Sequence, residues 1–505
     1  MKENLEGKLT EGSVAARLVA FSLPFLMANF LQTLYGMADL FIAGQFNGAD
    51  VITAVSIGSQ IMHMITVIIA GLAMGTTVLT ARAVGACKER DAGLCAGNSL
   101  LAFLIFSVFA TAILFVFCPQ IVALMHTPPE AVGETLSYLG ICFLGIPFIS
   151  LYNSVSAVFR GAGDSKRPLY FVAASCLVNI ILDIVFMGPL DLGSRGAALA
   201  TVLSQAFSAF LAAFVLFARG KRGASGGVGG ARGGACGETL GGACGGAGGA
   251  DGGDGASGGT GGSRGKRGAC VRILRDDFRM DAKVLKALLQ IGLPVSAQDG
   301  FIQVSFLVIT IIANSRGLSV AAAVGIVEKI ICFLFLVPSS MLSAISALAA
   351  QNMGASLHAR ARHTLYAGMA IAAAFGALFA LAFQFASVPF VSLFTHDAEV
   401  VQLGGQYLRS YVFDCFFAAF HFAFSGFFCA YGYSLLSFVH NTVSILLVRI
   451  PGAYLAAKYF PDTLYPMGWA PAIGSLLSSL ICLGFYLLLK RNGKFGGGLE
   501  RHGGK

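Results

Sequence analysis

Four of the polar side chains inside this sequence's apolar runs combine types capable of joint chemistry. Asp39 lies near the end of the run 16–44, ARLVAFSLPFLMANFLQTLYGMADLFIAG, which also holds Pro24, Gln32 and Tyr35. Asn179 and Asp183 stand four residues apart in CLVNIILDIVF, hence on one helical face. Thr201 follows in GSRGAALATVLSQ. A charged group in hydrocarbon costs a few kcal/mol or more, so an intramembrane carboxylate implies a partner or a task. Two carboxylates, an amide oxygen and a hydroxyl form a hard-oxygen set suited to a small cation or a shared proton.

A second group of acidic residues falls in the later half. Asp299 and Asp414 have aromatic neighbours in Phe301, Phe306, Phe413, Phe416 and Phe417. An anionic, aromatic cavity attracts organic cations through charge and cation–π contact. Gln32, Tyr35, Asp299 and Asp414 are therefore candidate substrate-cavity residues. Glu328 and Lys329 are adjacent and read as a locally neutralised pair. Gly161-Ala162-Gly163-Asp164 fits the GxGD pattern of intramembrane aspartyl proteases. That chemistry needs two carboxylates facing each other within the membrane. Asp164 instead sits among Arg160, Lys166 and Arg167 in a basic loop.

The elements that must position these residues are membrane helices. Of the 505 residues 56% are hydrophobic and only 12% charged, with a mean hydropathy of +0.77. Soluble domains carry roughly 25% charged residues. Runs long enough to span occur at 16–43, 51–80, 92–118, 131–157, 168–189, 195–218, 284–313, 320–350, 361–388, 400–428, 434–458 and 468–490. The fold class is thus an all-α integral membrane protein with twelve transmembrane helices. Basic residues cluster after spans 2, 4, 8 and 12 (Arg82, Lys88 and Arg90; Arg160, Lys166 and Arg167; Arg360 and Arg362; Lys490, Arg491 and Lys494), while alternate loops carry single ones. This asymmetry puts both termini in the cytoplasm. The net charge of +9 resides in loops and tails, which fits topology and argues against a nucleic-acid partner. The 12 cysteines form no CxxC pair and the eight histidines no HExxH motif, so they read as packing residues. The polar start runs directly into a full-length span, without the pattern of a secretory signal.

At roughly 22 Å from the cytoplasmic start of span 5, at about 1.5 Å per residue, Asp183 lies in the outer half of the membrane. Asp39 lies just before the outer end of span 1, and Thr201 roughly 8 Å below the outer start of span 6. All four polar residues share a depth.

The organisation is bipartite. Residues 1–218 form an amino-terminal six-helix lobe, 219–269 a Gly-rich cytoplasmic linker, 270–492 a second six-helix lobe and 493–505 a tail. The linker has few apolar side chains to bury and reads as flexible. Its resemblance to calcium or phosphate loops is compositional. The segment 270–286 is expected to be an interfacial helix. The lobes repeat one another at an offset near 270: Pro24 recurs as Pro294, Gly85 as Gly354 and Gly163 as Gly432. Six spans per repeat place both lobes in the same orientation, related by an axis along the membrane normal.

Taken together, LPFLMANFLQTLYGMADLFIAGQF, FRGAGDSKRPL, NIILD, GSRGAALATVLSQ and QNMGA, in this order and with the duplication, resemble the multidrug and toxic compound extrusion (MATE) family. The resemblance covers nearly everything but the linker and the last dozen residues. It implies a prokaryotic exporter in the plasma (inner) membrane that expels organic cations in exchange for Na⁺ or H⁺, acts without a cofactor and is not an enzyme. A monomer, in contact with membrane lipids, is expected. In the family branch with an amino-lobe cation site, that site falls by motif on Asp39, Asn179, Asp183 and Thr201. Other branches carry a helix 7 glutamate after its proline. Here the comparable position is Gln303, which argues against a coupling site in the second lobe; Gln303 is counted instead among the candidate substrate-cavity residues. Pro24 is the expected hinge. A lipid-linked precursor flippase of the same superfamily is the rival reading. It calls for a cavity rich in Arg or Lys and often two extra helices, whereas Arg449 is the exception among spans holding mostly acidic residues.

Overall fold

A computed structural model describes residues 9–125, 127–225, 271 and 273–495, all of it helices and connecting turns. Most of the proposed linker, and the tail beyond residue 495, lie outside the described residues. The first half contains α1 (Val14–Phe46), α2 (Ala49–Gly85), α3 (Glu89–Val116), the short α4 (Cys118–Leu124), α5 (Val132–Leu144), α6 (Ile146–Gly161), α7 (Lys166–Met187) and α8 (Gly193–Ser225). The second contains α9 (Ala282–Asn314), α10 (Leu318–Gly354), α11 (His358–Val391), α12 (Ala398–Tyr411), α13 (Phe413–Tyr431), α14 (Ser434–Ser444), α15 (Ile450–Tyr459) and α16 (Tyr465–Arg491). Eleven helical stretches are long and apolar enough to cross a membrane, and α5 with α6, bent by 44°, completes twelve. The bend falls at Gly145, with a proline in the first turn of α6, where the missing N–H is an orphan in any case. Helices α12 and α13 share one span, and a π-helical turn at Ile445–Arg449 joins α14 to α15. The chain is a multi-pass membrane protein of two six-span lobes.

The repeat extends to backbone detail. After α6, Gly163 (φ +89°) closes the helix with Asp164 N bonded to Phe159 O and Gly163 N to Arg160 O. After α13, Gly432 (φ +82°) does the same, with Tyr433 N to Phe428 O and Gly432 N to Cys429 O. These are paired Schellman closures, for which glycine supplies the left-handed residue.

The lobes meet through a pseudo-symmetric contact near the ends of α2 and α10. A Cβ on Gly85 would strike the Gln351 carbonyl, and one on Gly354 would strike that of Arg82. Only glycine admits so close a backbone approach. Beside it, Arg82 donates to the Ala430 carbonyl from Nε (3.0 Å) and Nη2 (2.7 Å). Its counterpart Gln351 donates from Nε2 to the Gly161 carbonyl at 2.8 Å. The first described residues join this end: Leu9 is buried and its N–H donates to Gln351 Oε1. Arg360 donates to the Gly12 and Glu11 carbonyls, and Arg362 to that of Phe495. Both ends of the described chain therefore lie at one end of the bundle.

Helix α1 belongs to both lobes. Leu18 and Phe21 pack into a cluster with Leu342, Ile345 and Leu365 of the second half. Ile42 and Ala43 pack with Val51, Val55 and Met187 of the first. Pro24 lies between these two anchored segments and leaves the Ala20 carbonyl without its helical donor.

One expectation is corrected. The stretch 270–286 contains no interfacial helix among its described residues. It holds a 3₁₀ turn at Arg275–Asp277, and α9 begins only at Ala282, capped by Asp281, which accepts from Lys283 N and Val284 N. The cause is Asp277: its buried carboxylate accepts from Leu274 N (2.7 Å) and pairs with Arg90 of α3 (3.0 Å), pinning the segment to the bundle.

Candidate cation-coupling site

Helix α7 buries one face along its whole length, the row Phe171, Ser175, Asn179, Asp183 and Met187. That three-to-four-residue stripe is packed against α1 and α8. It carries Asn179 and Asp183 to the inside, where both are fully buried, with Asp39 at 1% and Thr201 at 9% exposure. Thr201 Oγ1 donates to Asp39 Oδ2 at 3.3 Å. The Asp183 and Asn179 side chains lie beside the same carboxylate. The four residues picked out by depth thus come together from three helices.

Their hydrogen bonding is incomplete. Asp39 Oδ1, both side-chain polar atoms of Asn179 and both carboxylate oxygens of Asp183 are buried without a protein partner. Buried polar groups are ordinarily paired, so this cluster carries unfilled hydrogen-bonding capacity. Among the described residues no three His, Cys, Asp or Glu side chains gather as a metal cage. Two carboxylates with an amide oxygen and a hydroxyl form a hard-oxygen set suited to a small cation or a shared proton.

Tyrosines complete the site. Tyr35, one turn before Asp39, has a buried hydroxyl without a partner and faces Asp39 and Thr201. Tyr138 of α5 is fully buried beside Tyr35 and Asp39. Its ring lies where a Cβ on Gly58 would be. Tyr35 is also shared with a small, partly open pocket, lined with it by Gln32, Tyr152, Ser175, Gln205 and Ser208. One side chain therefore touches both the carboxylate cluster and a neighbouring pocket.

Of the other candidates, Gln32 and Tyr35 line that pocket, whereas Asp299, Gln303 and Asp414 lie elsewhere. The Asp299 carboxylate rests against Gly71 of α2, and Gln303 is half-buried on α9. Asp414 is buried and accepts from Ser475. Glu328 and Lys329 form no ion pair among the described residues. Glu328 instead accepts from Thr310 at 3.1 Å, because adjacent helical residues point about 100° apart. Asp164 is bound by Arg167, through its backbone N–H and a 3.2 Å ion pair, and so belongs to the loop before α7.

Ser175 and Gln205 were within reach of the sequence, since each stands four residues from a chosen residue, Asn179 or Thr201. Tyr138 and Tyr152 carry no such signal, because their helices reach the site only through packing.

The same family model matches this chain twice, at residues 24–185 and at 294–455. The chain belongs to the MatE family. Among curated MatE-type relatives, the "Probable multidrug resistance protein YoeA" of Bacillus subtilis is 23% identical over 79% of this chain and 78% of its own length. The "Probable multidrug resistance protein YpnP" of the same organism is 31% identical over 39% of this chain and 45% of its own. A solved structure described as the outward-facing conformation of a multidrug resistance MATE family transporter superposes with a TM-score of 0.80 at 22% identity. That superposition covers 98% of this chain and 100% of the other and establishes the shared fold.

Proposed function

We propose that this protein is a secondary-active antiporter that exports organic cations in exchange for Na⁺ or H⁺. Asp39, Asn179, Asp183 and Thr201 form its coupling site. The observation that carries the proposal is the set of five orphaned polar atoms beside a pocket that shares Tyr35. The relatives' names as multidrug resistance proteins support the substrate class.

The cycle follows from charge. With Asp39 and Asp183 ionised, the pocket is anionic and holds an organic cation through charge and the faces of Tyr35 and Tyr152. A cation or proton arriving from outside binds the carboxylates and neutralises them. Helix α1 then bends at Pro24, carrying Gln32 and Tyr35 into the pocket, and the organic cation leaves. Linkage requires that the drug weaken cation binding by the same factor. No cofactor is required, and the chain acts as a monomer.

The protein sits in the plasma (inner) membrane with both termini cytoplasmic, a placement supported by the basic loops and by Leu9 and Phe495 lying at one end. Residues 1–218 and 270–492 are the two lobes, 219–269 the linker and 493–505 the tail. A precursor flippase finds little support here: the amino-lobe pocket has no Lys or Arg in its lining.

The test is export of ethidium from proteoliposomes under an imposed sodium gradient or an imposed pH gradient. Export should follow at least one gradient and stop when it is dissipated. Export indifferent to both contradicts the proposal.

A further inference from the structure

The second lobe holds a counterpart of the carboxylate cluster in the first, drawn from corresponding helices but carrying its own positive charge. Ser475 of α16 donates to Asp414, as Thr201 of α8 donates to Asp39. Thr310 of α9 donates to Glu328 of α10 at 3.1 Å. Tyr407 of α12 is fully buried near both carboxylates, as Tyr138 of α5 is beside Asp39. Asp414 Oδ2 and Glu328 Oε1 are buried without a partner. Each lobe thus gathers two carboxylates with unfilled oxygens, a donating hydroxyl and a tyrosine.

What differs is Arg449. No basic group lies near Asp39 or Asp183 among the described residues, whereas the Arg449 guanidinium lies near both Asp414 and Glu328. Arg449 is 7% exposed and lines a small pocket with Ser475 and Phe306. Its Nη2 donates to Tyr411 Oη at 2.9 Å, the Phe306 ring centroid lies 4.7 Å from the guanidinium, and Nε has no partner. Lys329, the other basic neighbour of Glu328, is exposed on α10. Register puts Arg449 where the first lobe has Asn179. Asn179 comes sixteen residues after the helix-closing Gly163, and Arg449 seventeen after its partner Gly432. The π-helical turn that ends at Arg449 takes up the extra residue.

We propose that Arg449 is a tethered substitute for the coupling cation. It holds the second lobe permanently in the charge state that the first lobe reaches when one monovalent cation binds Asp39 and Asp183. Buried carboxylates keep their charge only beside a compensating one, and a side chain cannot dissociate. The second lobe therefore takes up no cation from solution. Arg449 thereby limits the chain to one coupling site, an inference that rests on the coupling reading of the first lobe.

The test uses purified full-length protein in nanodiscs at neutral pH, without any gradient. It counts bound radioactive Na⁺ and protonated carboxyls, the latter by their infrared C=O band. Arg449→Gln should gain about one Na⁺ or one protonated carboxyl per chain over wild type, because a buried charge left alone is compensated or neutralised. Adding Asp414→Asn should abolish that gain, and Arg449→Lys, which keeps the charge, should show none. A folded Arg449→Gln protein without the gain overturns the inference. A second measurement holds even if Arg449→Gln fails to fold. In Asp39→Asn/Asp183→Asn protein with Arg449 intact, adding Asp414→Asn should remove neither bound Na⁺ nor a protonated carboxyl. Loss of either overturns the inference. Neither readout needs export, so failure of the first-lobe coupling assignment appears in proteoliposomes and failure of the Arg449 assignment appears here.

Discussion

Asp39 and Asp183 are paired by the fold rather than by a counter-ion, and their free oxygens define what the site can do. Thr201 contributes one hydrogen bond to Asp39. A single neutral bond is worth about 0.5–1.5 kcal/mol net, so Thr201→Val should weaken the coupling ion about 2- to 10-fold, measured as the cation concentration for half-maximal exchange. Gly58→Ala should be worse for the protein than its size suggests. The added methyl meets the Tyr138 ring, and overpacking of this kind costs about 1–3 kcal/mol, readable as a lower unfolding temperature in detergent. The Asn179–Asp183 pair was legible because a spacing of four fixes the face, and depth added Asp39 and Thr201. Tyr138 was not, because a tyrosine in an apolar span looks like any core residue until its helix is packed. Glu328 and Lys329 are neighbours in charge without an ion-pair contact, and Glu328 takes its hydrogen bond from Thr310 instead.

At the scale of elements, the proposed exchange assigns the movement to α1. Its two segments are held by different lobes, and Pro24 lies between them. Pro24→Ala returns the N–H that α1 lacks and removes a defect worth about 3 kcal/mol in a helix interior. Exchange should slow markedly while equilibrium binding of the coupling ion changes little. A wild-type exchange rate would place the hinge elsewhere. Hydropathy located all twelve spans because each must bury its own backbone bonds in lipid. It did not foresee the turn at Arg275–Asp277 or the π-helical turn at Ile445–Arg449. Both depend on side chains placed by the rest of the bundle, in the first case Arg90.

For the whole molecule, the two lobes are joined by reciprocal contacts related by the repeat: Gly85 with Gly354, and Arg82 to Ala430 beside Gln351 to Gly161. Gly354→Ala forces the backbones apart at the end where Leu9 and Phe495 lie. It should increase labelling of a cysteine introduced at Leu9 by a thiol reagent, relative to the same cysteine in an otherwise unchanged chain. The repeated glycines were visible in the sequence; that they face each other was not, since a repeat gives correspondence rather than contact.

The most direct measurement is cation-driven ethidium exchange in proteoliposomes containing wild-type protein, Asp39→Asn or Asp183→Asn at matched density. The account predicts that each substitution abolishes coupled export while the protein remains monodisperse and inserted. Wild-type coupled export by both variants would contradict it.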